Sequence, residues 1–561
     1  MQGPSISSTV MRDLGLIESA RGRWTVPCPD RYNMAEALVS AHARGPNRDR
    51  VALVFEDKKG KCQTSTYGDL ERQSDALAAK LASAGIGRGD VVGVHTGHRP
   101  ETIISHLAAY KIGAIVATIS QLYGPDTLHH ILNDSGASVL ITQDEVWEPL
   151  RELRPKLPAL HTCIVVGDRA ADELGFADCL RHDASTLTRA DTRASDPALL
   201  IYTSGSTGLP KGILHGHRIL PSYRPTLELF FNLELRDSDL VFWTPADWAW
   251  IGGFVDVVYP ALLFGHRVVA LQRRFDAGEA LDIMNRHGVT HSLMTPTALR
   301  RLTMVRSPRS GRDLKLRTVF TGGEALSGET YGWLRNELRI VCNEGYGMSE
   351  VNHMIGNCQK LAPIHPGSMG WEFPGHRALL VDDDGNEVEP GEIGEIVTGD
   401  DAPTLFLGYW RSPDLTASLR LGPWVRTYDL AMRDAEGYFW YKGRKDDLIK
   451  SAGYRIGPFE IEDVMSQHDA VAEVAIIGSP DDERGQIVKA FVKLAPGFEP
   501  GEGLIRELQQ HVRSRLAAYK YPRVIEFIDN MPLTSTGKIS RGALRRLDSG
   551  GHASQATRGS G

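Results

Sequence analysis

The sequence predicts an α/β protein with a large multi-subdomain N-terminal domain that contains parallel α/β sheets, followed by a small α+β C-terminal domain. Its 561 residues exceed what one hydrophobic core supports, so several subdomains are expected. Apolar strands alternate with helices in the first third of the chain, which is typical of a parallel sheet covered on both faces. Short alternating runs from residue 367 to 398 indicate a small β-rich subdomain with hairpins.

The alternation becomes regular at Tyr67 and continues along the chain. Apolar residues at helical spacing predict helices at 70–84, 100–111, 128–133, 254–264 and 503–516. Apolar runs predict strands at 91–94, 114–118, 139–142, 198–201, 268–271, 318–321, 377–381, 394–398, 475–477 and 488–492.

The composition excludes several classes of protein. A net charge of -7 gives no basis for a nucleic-acid surface. No apolar run reaches the roughly 18 residues needed to cross a membrane, and no secretion signal is visible at the N-terminus. The six cysteines are scattered without a CxxC pair, which predicts reduced thiols in a cytoplasmic protein.

One stretch, 202–212, has the composition of a phosphate-binding loop. It contains three glycines, several hydroxyls and Lys211, and it follows the predicted strand 198–201. Glycines allow backbone N–H groups to approach a ligand closely, and ligands of parallel sheets bind at the carboxyl ends of strands. A polar surface loop is the alternative, although such a loop needs no preceding strand. The common P-loop pattern is absent because Lys211 lies between Pro210 and Gly212.

A second motif, Asn343–Glu350, combines glycines with an aromatic residue, a hydroxyl and a carboxylate. Mg²⁺ prefers carboxylate and phosphate oxygens, so Glu350 is a candidate ligand for a nucleotide-bound magnesium ion. The alternative for Glu350 is an acid at a helix N-terminus, stabilised by the helix dipole.

These stretches, together with 441–450, 451–462 and 532–541, resemble the motifs of AMP-forming acyl-CoA synthetases of the adenylate-forming superfamily. The motif sequences are most similar to those of medium-chain acyl-CoA and acetyl-CoA synthetase-like members. The motifs follow one another in the same order as in the family, over roughly residues 25 to 545. The resemblance implies that ATP and a carboxylic acid give an acyl-AMP, that CoA then takes the acyl group, and that Mg²⁺ is the metal.

The resemblance assigns roles to individual residues. It implies catalytic roles for Lys538, Glu350 and Thr203, with Glu350 and Thr203 as metal ligands. The implied ATP- and AMP-binding residues are Thr203, Ser204, Gly205, Ser206, Thr207, Gly208, Lys211, Gly323, Glu324, Ala325, Glu344, Gly345, Tyr346, Gly347, Ser349, Asp429, Arg444 and Arg455.

The remaining implied roles concern the acid, CoA and domain motion. The acyl pocket is expected at Trp250, Ile251, Gly252, Gly322 and Gly347, and the CoA channel at Gly453 and Tyr454. Asp446 falls at the family's hinge. The expected domains are therefore residues 1–445, a mobile C-terminal domain at 446–547, and a disordered tail at 548–561.

The identity of the acid stays open at this point. Acetate-specific relatives carry tryptophan where this chain has Gly347 and valine where it has Gly322, which predicts a short- or medium-chain fatty acid of about four to ten carbons. Lys450 instead resembles aryl-acid relatives, so an aryl acid is the alternative. Two further alternatives are a ligase that loads a separate carrier protein and a catalytically dead nucleotide-binding protein, and homo-oligomerisation stays open.

Overall fold

A computed structural model describes residues 6–19, 24–203, 209–273, 275–452, 454–481, 483–517, 519–533 and 539–556. The chain forms two compact units: the first contains residues 1–378 and 398–425, and the second contains residues 379–397 and 426–561. The expected boundary at Asp446 falls inside the second unit, and it stays a prediction.

The first unit contains an eight-stranded sheet. Its strands, in spatial order, are Gly408–Tyr409, Lys211–Gly216, Pro197–Thr203, Ile115–Thr118, Val91–His95, Val139–Gln143, Thr162–Val166 and Leu174–Gly175. From Pro197–Thr203 onward the neighbours run parallel, whereas the first two strands are antiparallel to theirs. The strands at the centre of the sheet are buried on both faces, as their continuous apolar runs predict.

A nine-stranded sheet forms the other large layer of this unit. Its order is Trp371–Glu372, Asn352–Gly356, Val341–Met348, Thr318–Gly322, His291–Leu293, Val241–Trp243, Arg267–Leu271, Val51–Glu56 and Cys62–Thr66. The central six strands, from Val341–Met348 to Val51–Glu56, are parallel, and antiparallel strands close both edges. A two-stranded ribbon pairs Ile17–Glu18 with Trp24–Thr25.

Four glycines of this sheet region lie where no side chain fits. An added Cβ would lie 2.7 Å from an existing atom at Gly345, 2.4 Å at Gly356, 2.1 Å at Gly370 and 2.0 Å at Gly347. At Gly347 and Gly370 the obstructing atom belongs to the backbone of a neighbouring strand or turn. Glycine therefore allows the strands to approach one another closely here.

Helices begin and end where the sequence supplies caps. Thr66 and Asp69 form a capping box before Tyr67–Ser83, and Gly136, with φ of +66°, ends Pro125–Ser135. The other helical segments of the first unit are Ser8–Asp13, Glu36–Ser40, Ala41–Arg44, Pro100–Lys111, Asp144–Trp147, Glu148–Lys156, Phe176–Cys179, Ile219–Phe230, Ile251–Gly253, Phe254–Val258, Tyr259–Leu263, Ala277–His287, Pro296–Thr303, Gly328–Trp333, Leu334–Leu338 and Pro413–Ser418.

A third sheet has the order Ala378–Val381, Ile393–Gly399, Trp424–Arg433 and Arg420–Leu421, with Phe439–Arg444 also paired to Trp424–Arg433. The fourth sheet lies in the second unit. Its order is Tyr454–Ile456, Ile449–Ser451, Gly485–Leu494 and Val471–Asp481, and Val524–Phe527 pairs with Gly485–Leu494. Helices Pro458–Ser466, Glu502–Arg513 and Arg541–Ala556 belong to the same unit.

The predicted α/β architecture is confirmed, since every strand and helix expected between residues 67 and 142 is present. The expected disordered tail differs from the structure, because helix Arg541–Ala556 continues past residue 548. Asp548 is buried there and accepts hydrogen bonds from Lys489 Nζ and Ser479 at 2.8 and 2.7 Å. All six cysteines are unpaired, as expected, and none of the helices that the structure describes could span a membrane.

Candidate active site

The glycine-rich stretch joins two antiparallel strands. Thr203 ends one strand, Lys211 begins the next, and the two residues are direct cross-strand partners. A ring nitrogen of His130 lies 2.8 Å from the carbonyl oxygen of Pro210, which holds one end of the loop. The predicted nucleotide-binding residues Ser204, Gly205, Ser206, Thr207 and Gly208 lie outside the described residues.

Glu350 lies in a tight turn between the antiparallel strands Val341–Met348 and Asn352–Gly356. The helix N-terminus that was the alternative for this residue is therefore excluded. Its carboxylate is buried and accepts a hydrogen bond from the Tyr409 hydroxyl at 2.6 Å. Its carbonyl accepts the Phe406 N–H at 2.7 Å. The turn thus holds one acidic group at a defined position.

Tyr409 connects this carboxylate to the end of the glycine-rich loop. The Lys211 ammonium lies 5.8 Å from the centroid of the Tyr409 ring, a cation–π distance. Tyr409 reaches this place because its short strand pairs with Lys211–Gly216, in register with Ile213. The structure therefore brings Lys211 to the ring and Glu350 to the hydroxyl of one tyrosine, a residue that the sequence analysis did not identify.

His215 supports the same turn without serving as a base. Its ring nitrogen lies 2.7 Å from the carbonyl oxygen of Ser349, and burial lowers its pKa to about 4. A neutral, buried and hydrogen-bonded imidazole fits a structural role.

A glycine turn follows strand Thr318–Gly322, with φ of +84° at Gly323. Glu324 accepts a hydrogen bond from the Thr297 hydroxyl at 2.7 Å, and Ala325 follows in the same turn. The Glu344 carboxyl is buried and accepts the Leu326 N–H at 3.1 Å. Burial raises its pKa to about 8, despite the opposing effect of that hydrogen bond. Glu344 therefore fixes the end of the turn through its side chain.

Strand Val341–Met348 presents the central motif. Gly345 pairs with Gly322 of the neighbouring parallel strand, and a β-bulge separates Tyr346 from Gly347. Tyr346, Gly347 and Ser349 are all half-buried at this end of the strand. The motif is thus held by the sheet on one side and by the Glu350 turn on the other.

Gly347 leaves no open volume beside its Cα, contrary to what its replacement of the tryptophan of acetate-specific relatives suggests. A Cβ at Gly347 would fall 2.0 Å from the carbonyl oxygen of Asn352, so the space beside its Cα is filled by backbone. At Gly322 the corresponding distance to the Gly345 oxygen is 2.6 Å. Neither position accepts a side chain unless the backbone moves. Gly252 differs, because its nearest neighbours would be 3.9 Å away, at Asp256 and Leu293.

The tryptophan-rich segment divides into core and surface residues. Trp243 and Trp248 are buried, whereas Trp250 is half-exposed and contacts Tyr123 edge to face. Ile251 begins the short helix Ile251–Gly253 and is also half-buried. Trp250, Ile251 and Gly252 are thus all partly accessible, and their place in an acyl pocket stays a prediction.

The second unit carries the predicted ribose-binding pair. Asp429 and Arg444 are cross-strand partners, with Arg444 Nη1 at 3.8 Å from Asp429 Oδ1. The Tyr441 hydroxyl donates to the same Asp429 oxygen at 3.1 Å. Arg444 also donates to Asp446 at 2.9 Å, and Asp446 is exposed in the turn that follows the strand.

The predicted CoA and catalytic residues of the C-terminal domain are described only in part. Tyr454 is 51% exposed and stacks on Tyr519 at 4.1 Å. Arg455 pairs through its backbone with Lys450. Gly453 and Lys538 lie outside the described residues. Next to Lys538, Ile539 forms an antiparallel bridge with Leu533.

Comparisons with known proteins identify the class. Residues 39–410 match the AMP-binding enzyme family, and residues 460–538 match the AMP-binding enzyme C-terminal domain. The chain therefore belongs to the AMP-binding enzyme family. It is 33% identical over 522 residues to the acetyl-coenzyme A synthetase of Bacillus subtilis (strain 168), covering 92% of this chain and 90% of that protein.

Two further relatives support a narrower identification. The mitochondrial acyl-coenzyme A synthetase ACSM4 of Homo sapiens is 33% identical over 543 residues, covering 94% of this chain and 92% of that protein. The crystal structure of the anthranilate CoA ligase AuaEII with anthranoyl-AMP has a TM-score of 0.82 at 29% identity, covering 94% of this chain and 99% of that chain. Within its family the chain is an AMP-forming acyl-CoA synthetase, an acid-thiol ligase.

The resemblance inferred from the sequence is thereby confirmed. The enzyme activates a carboxylic acid with ATP to an acyl-AMP and transfers the acyl group to CoA. Its substrates are accordingly a carboxylic acid, ATP and CoA.

Proposed function

We propose that the acid is larger than acetate, a short- or medium-chain acid of about four to ten carbons. The observation that carries this proposal is the space beside Gly252, where the nearest atoms would lie 3.9 Å from an added carbon, an ordinary van der Waals contact that displaces nothing. The half-exposed Trp250 and Ile251 adjoin it, and their bulk limits the length of the acid. Gly347 does not provide space for a longer acid, since backbone fills the volume beside it.

A small aromatic acid is the second candidate. The anthranilate CoA ligase, whose substrate is an aromatic acid, covers 94% of this chain in the structural comparison. Trp250 and Tyr123, in edge-to-face contact, add aromatic surface beside Gly252. Flat rings pack well against such surface.

We also propose roles for the residues at the phosphate end. Glu350 and Thr203 offer carboxylate and hydroxyl oxygens, the hard donors that suit Mg²⁺. When bound, the ion neutralises charge on the ATP phosphates. The Tyr409 hydroxyl orients Glu350, and Lys211 adds a positive charge at the base of the loop. Ser204 to Gly208 supply backbone and hydroxyl donors to the phosphates.

The nucleotide and the second half-reaction involve further proposed residues. Tyr346 stacks on the adenine beside the turn Gly323–Ala325, and Asp429 with Arg444 binds the ribose. Lys538 stabilises the charge that develops when the carboxylate attacks the α-phosphorus. Arg455 contacts the phosphate.

We propose that the chain pivots at Asp446 between the two half-reactions, which replaces Lys538 by Gly453 and Tyr454 along the path of CoA. The turn at Asp446 is exposed, as a pivot requires. The domain boundary at 445/446 and a cytoplasmic location belong to the same proposal, and the six unpaired cysteines support the latter.

A panel of acids tests the proposed substrate class. Pyrophosphate release and acyl-CoA formation are measured with acetate, butyrate, octanoate and benzoate at equal concentrations. We expect the highest kcat/KM with butyrate, octanoate or benzoate. A preference for acetate over butyrate would contradict the proposal and leave the ligase identification intact.

A further inference from the structure

A cavity of about 560 Å³ lies in the first unit. Its volume falls within the range of small-molecule sites, about 300 to 1,000 Å³. The residues that line it belong to segments 28–31, 193–195 and 400–403, together with Arg218 and Ser222. None of them takes part in the chemistry described above.

The cavity lies at the far end of the two strands that flank the glycine-rich loop. Residues 193–195 precede the strand that ends at Thr203, and Arg218 follows the strand that begins at Lys211. The two strands are antiparallel partners, with Thr203 opposite Lys211. At about 3.3 Å per residue, the strand Pro197–Thr203 separates the two ends by roughly 20 Å. A ligand in the cavity is therefore separate from phosphates bound at the loop.

Arg218 is a cation without a carboxylate partner in this cavity. Its Nη2 donates to the carbonyl oxygen of Leu405 at 2.7 Å, and its Nε is buried without a hydrogen bond to any residue that the structure describes. No described carboxylate lies within 4.0 Å of it, and burial lowers its pKa. Buried charges in native proteins are normally paired, so the structure leaves a place for an anion beside this guanidinium.

Two further arginines face each other at the same cavity. Arg31 and Arg193 are direct partners in an isolated antiparallel bridge. Arg31 pairs with Asp191, whereas no carboxylate among the described residues pairs with the side chain of Arg193. Like charges directly opposite one another destabilise such a pair, and a bound anion would offset the repulsion.

Three aspartates also line the cavity, and two of them are already neutralised. Asp400 pairs with Arg420 at 2.7 Å and Asp401 with Arg377 at 3.4 Å, and neither of these arginines lines the cavity. Asp30 is the third. Two uncompensated arginines therefore face one uncompensated carboxylate, which leaves one positive charge in excess. A singly charged anion matches that excess better than a phosphate dianion does.

We propose that this cavity is a binding site for a small organic carboxylate, held by Arg218 with Arg193 beside it. The planar guanidinium matches the two oxygens of a carboxylate. Ser195 adds a hydroxyl at the same cavity, and Pro29 and Ala402 offer apolar surface to the rest of the ligand. The site is distinct from the candidate active site and does not depend on which acid the enzyme activates.

Cys28 provides a reporter inside the cavity. Its thiol interacts electrostatically with Arg218 and hydrogen-bonds with Ser222, and partial burial raises its pKa. Among the six cysteines only Cys28 and Cys62 are exposed, and Cys62 does not line the cavity. The two thiols can therefore be compared in one sample, at one alkaline pH.

Alkylation of Cys28 by iodoacetamide in the intact enzyme tests the proposal, without ATP or CoA. Butyrate is titrated to about 100 mM, with chloride holding the ionic strength constant. We expect butyrate to slow the modification of Cys28 by about tenfold or more, with a Kd of about 1 mM, the affinity available to so small a ligand. The rate at Cys62 should not change, and inorganic phosphate should protect Cys28 less than butyrate does.

Variants then assign the protection to the arginines. Arg193→Gln and Arg218→Gln should each raise the butyrate concentration for half-protection by about tenfold or more, the effect of losing a charge-assisted hydrogen bond. Arg193 is exposed, so its replacement leaves the core intact. Arg72→Gln is the control, because Arg72 is an exposed arginine outside the cavity, and it should leave the protection unchanged.

Three outcomes would overturn the inference. They are no protection at about 100 mM butyrate, equal protection of Cys28 and Cys62, and protection that Arg193→Gln and Arg218→Gln both leave unchanged. Stronger protection by phosphate than by butyrate would overturn the assignment to a carboxylate. If Arg218→Gln failed to fold, Arg193→Gln alone would decide, through protection and through loss of the thermal stabilisation that butyrate gives the wild type.

Discussion

Replacing Gly252 with valine should shorten the acids that the enzyme prefers without disturbing the fold. The first added carbon would lie 3.9 Å from Asp256 and Leu293, which is ordinary van der Waals contact. The side chain would then occupy the volume of about two or three methylene groups of the substrate, each worth about 0.8 kcal/mol when buried. The loss for an acid that uses this volume is therefore about 2 kcal/mol, or roughly 30-fold.

The assay is pyrophosphate release with acetate and octanoate, expressed as the ratio of their kcat/KM values. In Gly252→Val the ratio should move by roughly 30-fold toward acetate, with the melting temperature unchanged. An equal loss for both acids would show that Gly252 does not line the acyl site, and the size argument would fail.

Gly347→Ala provides the matched control, since it adds a carbon where the structure leaves no space for one. The added Cβ would meet the Asn352 oxygen at 2.0 Å, so the backbone must move at a cost of about 1 to 3 kcal/mol. We expect lower stability and an equal loss with all acids. A stable variant with altered acid preference would refute the strand packing described above.

Two other predictions concern the phosphate end, and a third concerns the buried carboxyl of Glu344. Lys538→Ala should reduce acyl-AMP formation by about 10² or more and spare thioester formation from supplied acyl-AMP. The control Lys493→Ala, which removes a surface partner of Glu473, should affect neither half-reaction. Equal loss of both half-reactions in Lys538→Ala would refute the assignment. Tyr409→Phe removes the hydrogen bond to Glu350 and should raise the Mg²⁺ concentration for half-maximal activity by about 10-fold or more, and an unchanged Mg²⁺ titration would argue against Glu350 as a ligand. Glu344→Gln should reduce the pH dependence of the free energy of unfolding. A carboxyl whose pKa is raised from 4.5 to about 8 in the folded state makes the protein less stable as pH rises through that window, by about 3 to 5 kcal/mol. Identical urea unfolding curves for the wild type and the variant at pH 5 and at pH 8 would contradict this prediction.

Much of this architecture follows from local sequence. The strand before Thr203 and the helix at Pro100–Lys111 were predicted because apolar periodicity and proline position are local signals. The turn at Gly323 can equally be predicted from the sequence, since a glycine that ends an apolar run indicates a positive φ. The class of chemistry could also be predicted, because the motifs keep their order along the chain.

What escaped prediction depends on which strands pair and in which register. Tyr409 contacts Glu350 across 59 residues of sequence, and only the short strand beside Lys211–Gly216 brings it there. The open space inferred at Gly347 is filled by the partner strand, which a bulge shifts in register.

The close-packed glycines also constrain how this enzyme can diverge. At Gly345, Gly347, Gly356 and Gly370, any replacement must displace atoms that lie 2.7 Å or less from the new carbon. Single substitutions there therefore destabilise the fold, and they are selected against whatever their effect on the enzyme's preference for one acid over another. Gly252 carries no such restriction. Natural or laboratory variants with a new substrate range should therefore accumulate changes on the helical side of the acyl site, while the strand side stays invariant.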